Sequence, residues 1–276
     1  MASASDHPRP FADAWKFKHP SDLTFAQNIL VLGNVLIPST REFKYPQETG
    51  KLPVVLEWDQ HIRWFPIFIL PVVLRGLYMH FTGNTIPPVV MYGISNLFTF
   101  ATMMLYMQHI TSYAKKYGFL DNQSSRDSVP ESMAHKVFGS LITAVFIRPL
   151  VVFLLAYDEN KAPSLDLWLP FQLFVFTAIS DFIYYWVHRA THEVPLFWKY
   201  HQRHHTTKHP TPYLAAFADE PQEVFDAIGS PIIAFMLFPI GFDALYIWSI
   251  YMITSEVLGH SGLRLYISGV LVSYTM

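Results

Sequence analysis

From Ile86 to Gln108 the chain carries no charged side chain at all. A hydrocarbon core about 30 Å thick is crossed by roughly 20 apolar residues when they are helical. Helix is required there because the bilayer offers no partner for an unpaired backbone N–H or C=O. Three further stretches have the same character: Trp64–His80, kinked by Pro66 and Pro71 and interrupted by Arg75; Val137–Tyr157, with Arg148 and Pro149 near its middle; and Leu167–Val187. Composition agrees, with 51% hydrophobic and only 14% charged residues, against about 25% charged in soluble domains. The pattern predicts an all-α integral membrane protein with about four transmembrane helices. Ile228–Leu258, broken by Pro231, Pro239, Gly241 and Asp243, predicts a re-entrant or tilted helical hairpin in addition.

Leu23–Pro38 is apolar but short, so it reads as an interfacial or re-entrant helix as readily as a crossing. Residues 1–22 read as a mobile tail with aromatic anchors at Trp15 and Phe17. The expected division is therefore residues 1–63, a cytoplasmic tail with an interfacial helix, and residues 64–276, a membrane domain. The start of the chain is polar and proline-rich, unlike a cleaved signal peptide. Loop charges set the orientation. Lys115, Lys116, Arg126 and Lys136 follow the second span, whereas Lys161 faces three acids after the third. The positive-inside rule then places the N-terminus and the segment after Val187 in the cytoplasm. A net charge of −2 excludes a basic field for nucleic acid, and the absence of cysteine excludes thiolate ligands and disulfides.

The fourth span leads directly into six of the thirteen histidines, within DFIYYWVHRATHEVPLFWKYHQRHHTTKHP. His188 and His192 are one helical turn apart, and His201, His204 and His205 repeat that spacing. Imidazole suits zinc, copper, iron or nickel, and five such ligands exceed the needs of one tetrahedral ion. The stretch predicts a dinuclear metal site on a cytoplasmic, histidine-rich helical cap. Asp181 and Tyr184 share a face with His188 and His192, where a carboxylate or hydroxyl can support a ligand's second ring nitrogen. A zinc-hydrolase H-E-x-x-H motif is excluded, because Arg189 stands where the general base belongs. Two metals beside an apolar cavity fit oxygen activation on a lipid reaching the site laterally. Arg148, a charge in mid-span, is a functional or pairing candidate.

HRATH and HQRHH, the preceding D-x-x-Y-Y-W-x-H run, the HPTPYLAAFADEPQE linker and GHSG at 259–262 together resemble the fatty acid hydroxylase/sterol desaturase superfamily over roughly residues 140–266. The resemblance implies an endoplasmic-reticulum membrane enzyme with a non-haem di-iron centre. Such enzymes use O2, with electrons through cytochrome b5 and NAD(P)H, to hydroxylate or desaturate a sterol, fatty acyl chain or other apolar metabolite. It implies His188, His192, His201, His204 and His205 as iron ligands, His260 as a sixth, and Glu223 as an outer-shell acid, with His209 less securely placed. The family's third histidine box is not matched after His260, so the sequence reads as a C-terminally incomplete version of a longer enzyme, in which His61, His109 or His135 would have to substitute. A catalytically inactive, lipid-binding or regulatory membrane protein is the alternative expectation.

Overall fold

The computed structural model describes residues 14–36, 54–119, 129–163, 165–207, 211–217, 219, 221 and 224–266. Among the described residues the architecture is helical, with one pair of two-residue strands. Helix α1 spans Phe25–Leu32, α2 Glu57–Thr82, α3 Pro88–Tyr117, α4 Ala134–Ile142 and α5 Arg148–Ala156. Then come α6, Leu169–Glu193, α7, Pro195–His201, α8, Ser230–Leu237, and α9, Phe242–Gly259. Strands β1 (Val55–Leu56) and β2 (Leu265–Tyr266) pair in parallel, anchored by the Val55 N–H donating to the Arg264 carbonyl at 2.8 Å.

Three helical segments are long and apolar enough to cross a membrane: Trp58–Thr82, Pro88–Tyr117 and Glu131–Ala156. They correspond to the first three expected spans. The first begins earlier than the apolar run suggests, because Glu57–Arg63 continues the helix upstream of Trp64. The fourth expected span is one continuous helix, α6, but it is not among these three. Its Gln172, Thr177, Ser180 and Asp181 lower its hydropathy.

Local sequence explains the boundaries. Thr24 and Gln27 form a reciprocal capping box that starts α1. α3 begins on Pro88, whose missing N–H is an orphan at that position in any case. α2 ends on Gly83 at φ 67°, a left-handed cap that glycine adopts without strain. Pro149 cannot donate to the helix and its ring crowds the preceding turn. The chain answers with a π-helical turn over Thr143–Ile147 that joins α4 to α5. A second π-helical turn, Phe225–Gly229, leads into α8.

The α8–α9 pair takes the place of the expected helical hairpin, and its second arm is the centre of the molecule. Helix α9 is apolar on all sides, and 14 of its 18 residues are buried, as expected for a helix with no solvent face. It packs against α2, α3, α5 and α6. Near its start, Asp243 meets Arg75 of α2 at 3.2 Å, with both side chains almost fully buried. Arg75 also donates to the carbonyls of Asp158 (3.0 Å) and Lys161 (2.6 Å) and lies over the Tyr157 ring at 5.0 Å. The mid-helix charge is thereby paired.

The N-terminal region departs from the expected mobile tail within its described part. Trp15 is 1% exposed and its indole N–H donates to the Val129 carbonyl at 2.9 Å. Tyr213, from the proline-rich linker, is equally buried and donates to the Leu30 carbonyl of α1 at 3.0 Å. Gly33 is required here, because a Cβ at that position would overlap the Tyr213 hydroxyl and crowd Met104. Gly33→Ala is expected to lower stability by about 1–3 kcal/mol, the usual range for overpacking. A thermal melt of the detergent-solubilised variant checks this; an unchanged midpoint would show that Tyr213 yields freely.

Candidate metal centre

Helix α6 carries His188 and His192 one turn apart beyond its apolar part, and Val194 turns the chain sharply into α7. Pro195 opens α7, which ends on His201; a 3₁₀ turn follows over His204–Thr206. This helix–turn–helix folds the second histidine cluster onto the first. The Nε2 atoms form a chain: His188 to His192 at 3.2 Å, His192 to His201 at 3.1 Å, and His201 to His205 at 2.8 Å. Each of the four offers a ligand atom, and all four atoms lie within 4.8 Å of one another. His201 is fully buried beneath the group, while His192 and His205 are exposed.

A second pair sits beside this group. His204 Nε2 lies 3.2 Å from His260 Nε2, contributed by the C-terminal end of α9. Their other nitrogens settle the tautomer. His204 Nδ1 faces the Phe217 carbonyl at 3.1 Å and His260 Nδ1 faces the Glu256 carbonyl at 2.8 Å. A carbonyl only accepts, so each Nδ1 must carry the proton, and each Nε2 presents a lone pair to the other. Facing lone pairs repel, and a cation between them removes the repulsion. A tetrahedral ion with nitrogen ligands at about 2.0–2.1 Å separates them by about 3.3 Å, close to the observed contacts. The side chains present therefore fit a metal.

Burial pushes His204 down to about 4, with the neighbouring His260 acting in the same direction. Burial and the facing His192 also lower His205. Both shifts keep the rings neutral, the state that binds metal. A histidine depressed in the folded protein contributes stability above its unfolded value near 6.5 that is lost as pH falls through about 4. The metal-free protein is accordingly expected to lose thermal stability progressively between those values, and His204→Gln to flatten that loss. A pH series of melts reads it; identical slopes in both proteins would sink the assignment to His204.

Of the other residues singled out by sequence, Tyr184 stacks on His188, with ring centroids 5.2 Å apart and planes at 28°, a packing contact. Asp181 lies half-buried two turns before His188 on α6. Glu223 and His209 fall outside the described residues. His61 packs on Trp58 and Tyr251. His109 Nε2 lies 3.2 Å from Gln60 Oε1, and His135 is exposed on α4. The structure groups none of these three with the cluster. Arg148 pairs with Glu256, its Nη2 reaching both carboxylate oxygens at 3.0 and 3.2 Å.

Several supporting groups were invisible to motif spacing. The Phe217 and Glu256 carbonyls belong to the backbone, which residue type does not mark. Trp198 stacks on His205 at 5.8 Å and 27°; its place three residues before His201 was the available signal. Asp219 clamps the second cluster, accepting from Arg203 at 2.9 Å and from Lys136 of α4 at 2.8 Å. Burial alone would raise its carboxyl, but these two cations hold it below the usual carboxylate range.

Residues 173–275 match the profile of the fatty acid hydroxylase family, from within α6 to beyond Tyr266. The fatty acid hydroxylase vlmA of Lecanicillium sp is 39% identical over 170 residues, covering 57% of this chain and 46% of the relative. These matches make the chain similar to the fatty acid hydroxylase/sterol desaturase superfamily. Lathosterol oxidase of Mus musculus is 29% identical over 126 residues, 45% of this chain and 42% of the relative. Delta(7)-sterol 5(6)-desaturase erg3A of Aspergillus fumigatus is 26% identical over 182 residues, 64% and 45% respectively. The matched parts thus span somewhat under half the length of these superfamily relatives. No solved structure matches significantly. The three apolar helical segments among the described residues are those of a membrane protein.

Proposed function

We propose that the chain is an iron-dependent membrane oxidoreductase that uses O2 to hydroxylate or desaturate a C–H bond of a lipid-like substrate. The observation that carries this is the convergence of four imidazole nitrogens, from His188, His192, His201 and His205, within 4.8 Å, beside the facing His204–His260 pair. Bound iron would supply the oxygen-activating chemistry, held by these six histidines. The names of the relatives, a fatty acid hydroxylase, a lathosterol oxidase and a sterol desaturase, support a lipid substrate, and they do not favour a non-catalytic role.

The protein's own contribution is positioning. The Phe217 and Glu256 carbonyls fix the tautomers of His204 and His260. Tyr184 and Trp198 hold the ring planes of His188 and His205, with Asp181 and Glu223 proposed as further outer support. Asp219 ties the His201–His205 turn to α4 through Lys136. Electrons are proposed to come from cytochrome b5 and NAD(P)H, with the protein multi-pass in the endoplasmic-reticulum membrane and the histidines facing the cytoplasm. Iron per chain in purified protein, together with product formation from a panel of sterols and fatty acyl lipids in a host lacking its own hydroxylase, tests the proposal. About two irons and an oxygenated or desaturated product are expected. Iron near zero, or an active His204→Ala variant, would overturn it.

A further inference from the structure

A cleft is lined by residues of α5, α8 and α9. Its walls are Val151, Val152 and Leu155 from α5, Ile228 and Pro231 at the entry to α8, and Leu245, Trp248, Ser249 and Met252 from α9. From Leu245 to Glu256 it follows α9 for about 16 Å, at 1.5 Å per residue. Its upper end is Arg148 and Glu256, and Glu256 stands one turn before His260. That end of the cleft is thus one helical turn from His260, a member of the histidine centre.

Two features define what fits. Among the lining residues the charged side chains are Arg148 and Glu256, and they neutralise each other at 3.0 Å. A lipid carboxylate entering here would have to break that pair or face Glu256, whereas an uncharged lipid disturbs neither. Trp248 is 5% exposed, and its buried indole N–H has no acceptor among the described residues. A buried donor without an acceptor is costly, and indole has no second way to satisfy it. An oxygen that accepts without carrying charge, in a hydroxyl or ester, is its natural partner.

We propose that this cleft is the lipid site, and that it selects an uncharged, oxygen-bearing lipid over a free fatty acid, with Trp248 donating to the lipid oxygen. The inference deepens the oxidoreductase reading, from which it takes the lipid nature of the ligand. The space is about 30 Å³ in the present conformation, too small for a chain, so on this proposal binding widens the cleft. Helix α8 packs along α6, exposes Ile233, Met236 and Leu237, and is entered through the Phe225–Gly229 π turn. Such turns concentrate at functional sites.

The test uses the full purified chain in nanodiscs, without reductant, and compares binding of 1-hexadecanol with that of palmitate. Hexadecanol is expected to bind at least about tenfold tighter. Trp248→Phe should weaken hexadecanol about tenfold and leave palmitate unchanged. Met252→Trp, which fills the cleft, should abolish binding of both. In the unmodified protein a diazirine-bearing hexadecanol should label Val151–Leu155 or Leu245–Met252. Equal or tighter binding of palmitate, full binding in Met252→Trp, or labelling confined to α2 and α3 would overturn the proposal. Metal content is measured on the same samples. Iron-loaded protein that binds neither lipid removes the cleft alone, whereas lipid binding without iron removes the oxidoreductase reading alone.

Discussion

Replacing His201 with alanine is expected to abolish metal retention by the four-histidine group, with helical content and membrane insertion unchanged. His201 is fully buried, and its Nε2 makes two of the three short contacts in the group, to His192 at 3.1 Å and His205 at 2.8 Å. Without it, His205 loses its 2.8 Å neighbour and the remaining close contact is His188–His192. Losing an outer-shell partner typically costs 10–100-fold in metal affinity, so loss of this central ligand should exceed that range. Elemental analysis of purified protein, with circular dichroism as the control, reads the result. His260→Ala, by contrast, should leave the four-histidine group loaded and reduce total metal. Wild-type metal content in His201→Ala would refute the assignment.

The second large effect is expected at the far end of the central helix. Arg75→Met removes the cation that faces the buried Asp243, together with the hydrogen bonds that hold the Asp158 and Lys161 carbonyls. Breaking a buried ion pair on one side costs about 3–5 kcal/mol, because the surviving charge is uncompensated. For a chain of this size that corresponds to a fall in melting temperature on the order of 10 °C. Arg75→Met combined with Asp243→Leu should recover part of the loss, since the stranded charge is gone while the loop contacts remain broken. Melts of the single and double variants decide it. A double variant no better than the single would assign the loss to the loop contacts instead.

Local chemistry was legible in the sequence. The His188/His192 and His201/His204/His205 spacings, the charge-free run after Ile86 and the proline and glycine punctuation all act over one or two turns, and the structure places them accordingly. What was illegible depends on distant segments. Nothing near Arg75 announces Asp243, which stands on α9. Trp15 is legible as an anchor, but its acceptor, the Val129 carbonyl, lies too far along the chain to be read from local sequence. α6 is a single helix as expected, yet its polar residues leave it less apolar than the other three spans. The α8–α9 stretch illustrates the same limit. Hydropathy cannot distinguish a helix surrounded by protein from one surrounded by lipid, and α9 is the former.

The parallel pairing of Val55–Leu56 with Leu265–Tyr266 also bears on the order of assembly. The ribosome delivers the chain at about 5–20 residues per second, so His188–His205 emerge before α9 and well before the strand that fastens it. The four-histidine group is complete within one contiguous segment, whereas the His204–His260 pair waits for α9 to be made and placed in the middle of helices already inserted. Closing the contact between these two strands, about 210 residues apart in sequence, is a highly non-local step, and such steps are slow. Maturation of the centre therefore has two stages: a local one available during synthesis, and a later one set by the seating of α9.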